Sequence, residues 1–251
     1  MDVFLILLVA FLASGLTLIS GFGLGTMMLP VFALFFPLEV AVGLTAVVHL
    51  LNNLFKMGLL FRWVDRAVWL WFGIPGILGA FLGANLTLWL GETEGYHVNG
   101  RSVSFLALAI GILMIFFAVT EIFPRILQVT FKRAYLVPGG VLSGFFGGLS
   151  GHQGALRSMF LIKANLSKEQ YIATGVAIAL LVDLTRIPTY GLAIWEDIQG
   201  EIPLLMGATL SAFLGAFIGK RLIPKITYRT VQITVGSLMI LLGIGMILGW
   251  I

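Results

Sequence analysis

The sequence predicts an all-α polytopic membrane protein made of two inverted-topology repeats, each a glycine-broken helical hairpin plus three transmembrane helices. Three observations carry this. The 251 residues are 59% hydrophobic and 10% charged, whereas an ordinary soluble domain carries roughly 25% charged residues. The apolar residues run in long stretches near the length of about 20 that a bilayer-spanning helix needs, not in the short alternating segments of a membrane barrel. Landmarks of the first half return in order in the second. The composition excludes an ordinary soluble enzyme and a disordered chain, and the absence of cysteine excludes a disulfide scaffold and thiolate chemistry. The net charge of +4 is not a nucleic-acid signal, because the basic residues sit in short loops between apolar runs.

Met1 and Asp2 lead into the first apolar run, and no basic residue precedes Lys56. A cleavable signal has a basic region before its core, so this segment is expected to be retained. Residues 40–60, 67–90, 102–120 and 171–194 read cleanly as spans, followed by 202–219 and 230–251. Residues 3–36 and 134–162 are left over, and each is interrupted by glycines: Ser20-Gly21-Phe22-Gly23-Leu24-Gly25 and Gly147-Gly148-Leu149-Ser150-Gly151-His152-Gln153-Gly154. Glycine weakens a helix interior by about 1 kcal/mol, so each stretch reads as one broken span or as a hairpin of two shorter helices.

The charges decide between these. Cytoplasmic loops collect Lys and Arg. If each leftover is a hairpin, the loops carrying Arg62/Arg66, Arg125/Lys132/Arg133 and Lys220/Arg221/Lys225/Arg229 share the inner face, together with Lys163 and Lys168. Glu92/Glu94 and Glu196/Asp197/Glu201 then lie outside, as do both termini. The expectation is a multi-pass protein of the cell (inner) membrane.

The halves match at three landmarks. Gly79-Ala80-Phe81-Leu82-Gly83 returns as Gly215-Ala216-Phe217-Ile218-Gly219, Asn53-Leu54-Phe55-Lys56 as Asp183-Leu184-Thr185-Arg186, and Ser14-Gly15 as Ser143-Gly144. The repeats are drawn at 1–124 and 125–251. Inverted repeats with broken helices recur in secondary transporters, with the site near the midplane. A hairpin tip leaves the amino end of its second arm inside the protein, where unpaired N–H groups and the helix dipole attract an anion. The expected pocket spans 20–26 (Ser20, Gly21, Gly23, Gly25, Thr26) and 150–156 (Ser150, Gly151, His152, Gln153, Gly154). The alternative is close helix packing through small residues.

Arg157 follows the second cluster. A buried arginine costs about 3 kcal/mol or more without compensation, so it reads as an anion ligand or gate, a carboxylate's partner, or a snorkelling chain. His49 lies mid-span with Asn52 and Asn53 a turn on. Asp183 and Arg186, three apart on a helix, read as a structural ion pair. These five residues are also the gating or proton-coupling candidates, with His152. Lys56 and Arg186, near span ends, read as snorkelling. His97 reads as a solvated loop residue. Trp63, Trp69, Trp71, Trp89 and Trp250 read as interfacial aromatics.

Enzyme readings fail. Gly148-Leu149-Ser150-Gly151 resembles the serine motif of rhomboid intramembrane proteases, but no histidine follows His152 to act as base. The three histidines are too scattered for a metal site, and there is no Walker loop. No cofactor is expected.

Gly21-Phe22-Gly23-Leu24-Gly25 through Pro30, Glu39-Val40-Ala41-Val42-Gly43-Leu44-Thr45 and the 79–83 motif together resemble the sulfite exporter TauE/SafE family, over nearly the whole chain. The resemblance implies a transporter of sulfite, organosulfonates or related sulfur compounds. The second cluster departs from the family pattern, with Gly151-His152-Gln153-Gly154-Ala155 in place of a plainer glycine run and no proline after it. The expected function is therefore secondary transport of a small, sulfur-containing oxyanion by alternating access. An anion channel and a non-transporting scaffold are the alternatives. The 79–83 face is compatible with a homodimer and equally with internal packing.

Overall fold

Backbone groups in a bilayer must bond within their own segment, and the described residues are almost entirely helical. The computed structural model describes residues 3–20, 23–98, 100–123, 130–222 and 228–250. Among these are eleven helices: α1 Val3–Ser20, α2 Leu24–Ala33, α3 Leu38–Leu60, α4 Arg66–Val68, α5 Ile74–Glu92, α6 Phe105–Ile122, α7 Leu136–Ser150, α8 Gly154–Leu161, α9 Lys168–Gln199, α10 Ile202–Leu222 and α11 Tyr228–Ile247. A π-helical turn, Trp69–Gly73, joins α4 to α5. It precedes Pro75, which has no N–H to give the carbonyl one turn back.

Among the described residues, four segments are long and apolar enough to cross a membrane: Leu38–Trp63, Arg66–Glu92, Phe105–Ile122 and Lys168–Gly191. They coincide with the four clean spans of the sequence. One boundary is corrected. Ser102 does not start a span but pairs with His97 in a two-stranded ribbon, β1 Tyr96–Val98 and β2 Arg101–Val103. The third span begins at Phe105, after Ser104, whose hydroxyl accepts from the Ala107 N–H. The Asn99-Gly100 pair is a strong hairpin signal, and it was masked by the apolar run that follows.

Both glycine clusters break the chain. Gly23 has φ 124° just before α2, and Gly151 has φ 81° just after α7, a region that glycine enters without a Cβ clash. The second arm folds back on the first. Ser143 Oγ of α7 donates to the Gln153 carbonyl at 3.0 Å, and the Phe160 ring of α8 fills the space beside Gly139, 2.5 Å from where a Cβ would stand. The first pair, α1 and α2, also pack on each other.

Glycine then sets the helix pairing. On α5, a Cβ at Gly79 or Gly83 would lie 2.0 Å from the Val141 or Phe145 carbonyl oxygen. On α7, a Cβ at Gly140, Gly144 or Gly148 would stand 2.1 Å from the carbonyl oxygen of Phe72, Gly76 or Ala80. The rungs climb both helices together, so α5 and α7 run parallel, backbone on backbone. The 79–83 face is thus occupied within the chain's own fold.

α10 and α1 repeat this arrangement. A Cβ at Gly215 would meet the Phe11 carbonyl oxygen at 2.0 Å, and Ser211 Oγ donates to Leu7 O at 2.7 Å. Two further large pairs are antiparallel: α6 with α11, where Gly111 and Gly243 face each other, and α3 with α9, where Gly43 meets Ile194 and His49 meets Asp183.

Gly83→Ala is expected to destabilise the protein by about 2 kcal/mol, because the added methyl cannot fit without moving a backbone. Gly58, with nothing within 4 Å of its Cβ position, is the control: Gly58→Ala should be neutral or slightly stabilising, by up to about 1 kcal/mol. Thermal unfolding in detergent measures both, and equal melting temperatures would contradict the backbone-contact account.

Candidate functional site

The two breaks bring the hairpin tips together. A Cβ on Gly25 would stand 3.1 Å from the carbonyl oxygen of Gly151, so the start of α2 touches the turn before α8. Beside this meeting point lies a cavity with about 410 Å³ of atom-free space, counting its mouth. Gly23, Leu24, Gly25 and Thr26 come from the first tip, and Gly151, Gln153, Gly154 and Arg157 from the second. α3 contributes His49, Asn53 and Lys56, and α9 contributes Val176 and Ala179.

The lining is rich in donors. Neither α2 nor α8 has a side-chain cap at its start, so first-turn N–H groups and the positive ends of two dipoles remain available there. Lys56 and Arg157 are both buried on the wall, which carries no carboxylate among the described residues. The Gln153 Nε2 group is buried with no hydrogen-bond partner, and its Oε1 lies 3.5 Å from an Arg157 terminal nitrogen. Two cations, an unpartnered amide N–H₂ and two helix starts form a setting for a small anion.

Behind the wall, Asp183 is fully buried between two donors. His49 Nδ1 lies 2.6 Å from one carboxylate oxygen, and Arg186 Nε lies 3.0 Å from the other. The ion pair expected from the i, i+3 spacing is present, with Arg186 Nη2 at 2.9 Å. Arg186 also reaches the Gly147 carbonyl at 3.2 Å, Tyr190 OH donates to the Gly148 carbonyl, and Thr87 Oγ1 donates to that of Leu149 at 2.8 Å. The last turn of α7, which ends inside the protein, is satisfied by side chains of α9 and α5.

The snorkelling reading of Lys56 and Arg186 is corrected, because they are only 2% and 0% exposed and turn inward. A shared helical face was the missed signal: His49, Asn53 and Lys56 stand at i, i+4 and i+7. Other candidates are placed away from the cavity wall. His152 stacks on Phe117 with ring centres 5.2 Å apart, and its Nδ1 lies 3.0 Å from Ser150 Oγ. Ser150 itself bonds back to the Phe146 carbonyl. Asn52 accepts from Ser14 Oγ at 2.7 Å. Gly21 and the Ser20 side chain lie outside the described residues. His97 is exposed in its strand.

A family model described as sulfite exporter TauE/SafE matches residues 6–246. No curated protein and no solved structure matches the chain.

Asp183→Ala is expected to cost about 3–5 kcal/mol of stability, since it leaves the Arg186 charge buried without its partner. The double variant D183L/R186L should recover part of that loss. Unfolding of D183L, R186L and the double variant closes the cycle, and additive effects would show that the pair does not act as a unit.

Proposed function

The chain belongs to the sulfite exporter TauE/SafE family, and from that premise we propose that it is a secondary transporter of a small sulfur-containing oxyanion, sulfite or an organosulfonate, bound where the two hairpin tips meet. Family membership and the apolar helices make it a multi-pass membrane transporter rather than an enzyme. One observation carries the finer reading: two uncapped helix starts, Lys56, Arg157 and the free Gln153 amide surround one cavity whose wall has no carboxylate among the described residues. Each of these groups donates, so they favour an acceptor-rich, negatively charged solute.

Inverted repeats at 1–124 and 125–251 are part of the proposal. A two-fold axis in the membrane plane would exchange α1 with α7, α3 with α9, α5 with α10 and α6 with α11. The matched parallel pairs, α5 with α7 and α10 with α1, support this reading, as do the antiparallel pairs α3 with α9 and α6 with α11. Alternating access then comes from relative motion around a midplane site. The orientation keeps both termini outside. In its support, Arg66, Lys132, Arg133, Lys163 and Lys168 all lie within a few residues of one apolar cluster around Val68, Leu136, Ala164 and Tyr171, as a shared cytoplasmic face requires. His49 borders the cavity and bonds to Asp183, which makes it the coupling group if protons drive transport. A homodimer would use lipid-facing surface other than the Gly79/Gly83 side of α5, which packs on α7.

Uptake of labelled sulfite, sulfoacetate, taurine and sulfate into proteoliposomes, with and without a pH gradient, tests the proposal. Saturable uptake of one anion is expected. Arg157→Ala and Lys56→Gln should each weaken it about thirtyfold or more, the usual cost of removing a buried charged partner. Unchanged affinity in both variants would remove the cavity from the mechanism. Currents far above transporter turnover would show a channel, and no anion binding by folded protein would leave the scaffold reading.

A further inference from the structure

A second recess lies on the outer surface of the helices, where the end of α3, the turn after it and the π-helical turn meet α9. It is a groove with about 1160 Å³ of atom-free space, counting its open side. Its floor and walls are apolar: Met57, Phe61, Leu70, Leu180, Leu181 and Leu184. Several of these are well exposed, Phe61 at 68% and Leu184 at 54%, so in a bilayer they face acyl chains.

Two arginines, Arg62 and Arg66, also line the groove, and both are exposed. Asp65, the carboxylate between them, is turned to the helix start, accepting from the Val68 N–H at 2.8 Å. Its own N–H donates to Thr174 Oγ1 at 2.9 Å, which fixes this corner against α9. Among the described residues neither arginine forms an ion pair. The Arg62 guanidinium sits 5.3 Å from the centre of the Trp63 ring. This corner lies at the end of long apolar spans, where headgroups and interfacial tryptophans meet.

We infer that this groove is a seat for an anionic glycerophospholipid of the surrounding bilayer, with an acyl chain along α9 and the phosphate between Arg62 and Arg66. The charge match selects this occupant. A groove elsewhere, lined by Val47, Leu51, Trp195 and Met206 among others, has apolar walls of the same kind and no cation among its lining residues, and so offers an anionic headgroup no charge partner. The inference depends on the chain being embedded in a membrane and not on the identity of the transported anion.

Native mass spectrometry of the full chain released from mild detergent tests it. With acyl chains held the same, phosphatidylglycerol should bind about tenfold or more tighter than phosphatidylethanolamine, given two basic groups at the headgroup level. The R62Q/R66Q variant should lose that preference while remaining monodisperse and as helical by circular dichroism as the parent. L184W, which fills the groove and keeps both arginines, should also weaken lipid retention. Free glycerol phosphate, which has the headgroup chemistry without the chains, should not compete. An unchanged preference in R62Q/R66Q, unchanged retention in L184W, or full competition by glycerol phosphate would each overturn the seat.

Discussion

A helix that stops inside a membrane protein leaves carbonyl groups that water cannot reach, and the middle of this molecule is organised around that problem. α7 ends at Ser150 in the interior. Its last carbonyls are met by Arg186, Tyr190 and Thr87. The cation also suits the negative end of the α7 dipole. Arg186 can stay buried because Asp183 neutralises it, and Asp183 is tied across to His49 on α3. The second hairpin is thus held in place by a chain of polar contacts that begins at His49 on the cavity wall. The same turn that creates the unsatisfied carbonyls releases the amino end of α8 toward the cavity.

The spans, the two breaks and the charged pair in α9 were legible in the sequence because each follows a local rule: run length, glycine density, or i, i+3 spacing. The cavity wall was partly legible. The tip residues Gly23, Gly25, Gly151, Gln153 and Gly154 were marked by their glycine clusters and by Arg157. Lys56 was not, because a charge near the end of an apolar run looks the same whether it points to the headgroups or inward. Only its register with His49 and Asn53 separates the two. His152 and Asn52 show the converse. A polar residue in an apolar run must have a partner, but the sequence cannot say whether that partner is a ligand or a neighbour such as Phe117 or Ser14. The β1–β2 ribbon was missed because its turn signal adjoins the next span.

The two stretches aligned in the proposed repeats are put to different use. Leu54 and Leu184 both face outward, at 47% and 54% exposure, so the two helices present the same edge to lipid. Asn53 and Lys56 border the cavity. Their counterparts Asp183 and Arg186 are turned to the end of α7. On that side, among the described residues, α9 contributes Val176 and Ala179 to the wall. The cavity therefore receives its helical cations from α3 and α8, and its field is lopsided even though its frame is paired.

The pairing of α1 with α10 sets a timetable for making the protein. α1 leaves the ribosome well before its glycine-packed partner, which lies 204 residues downstream at the Ser211–Leu7 hydrogen bond. At about 5–20 residues per second, synthesis of that interval takes roughly 10–40 s. Through that time the face of α1 around Leu7 and Phe11 has only lipid, or whatever escorts nascent helices, to rest against. The α5–α7 contact closes much earlier. The α1–α10 contact therefore waits on most of the chain, and the α6–α11 pair can close only after it.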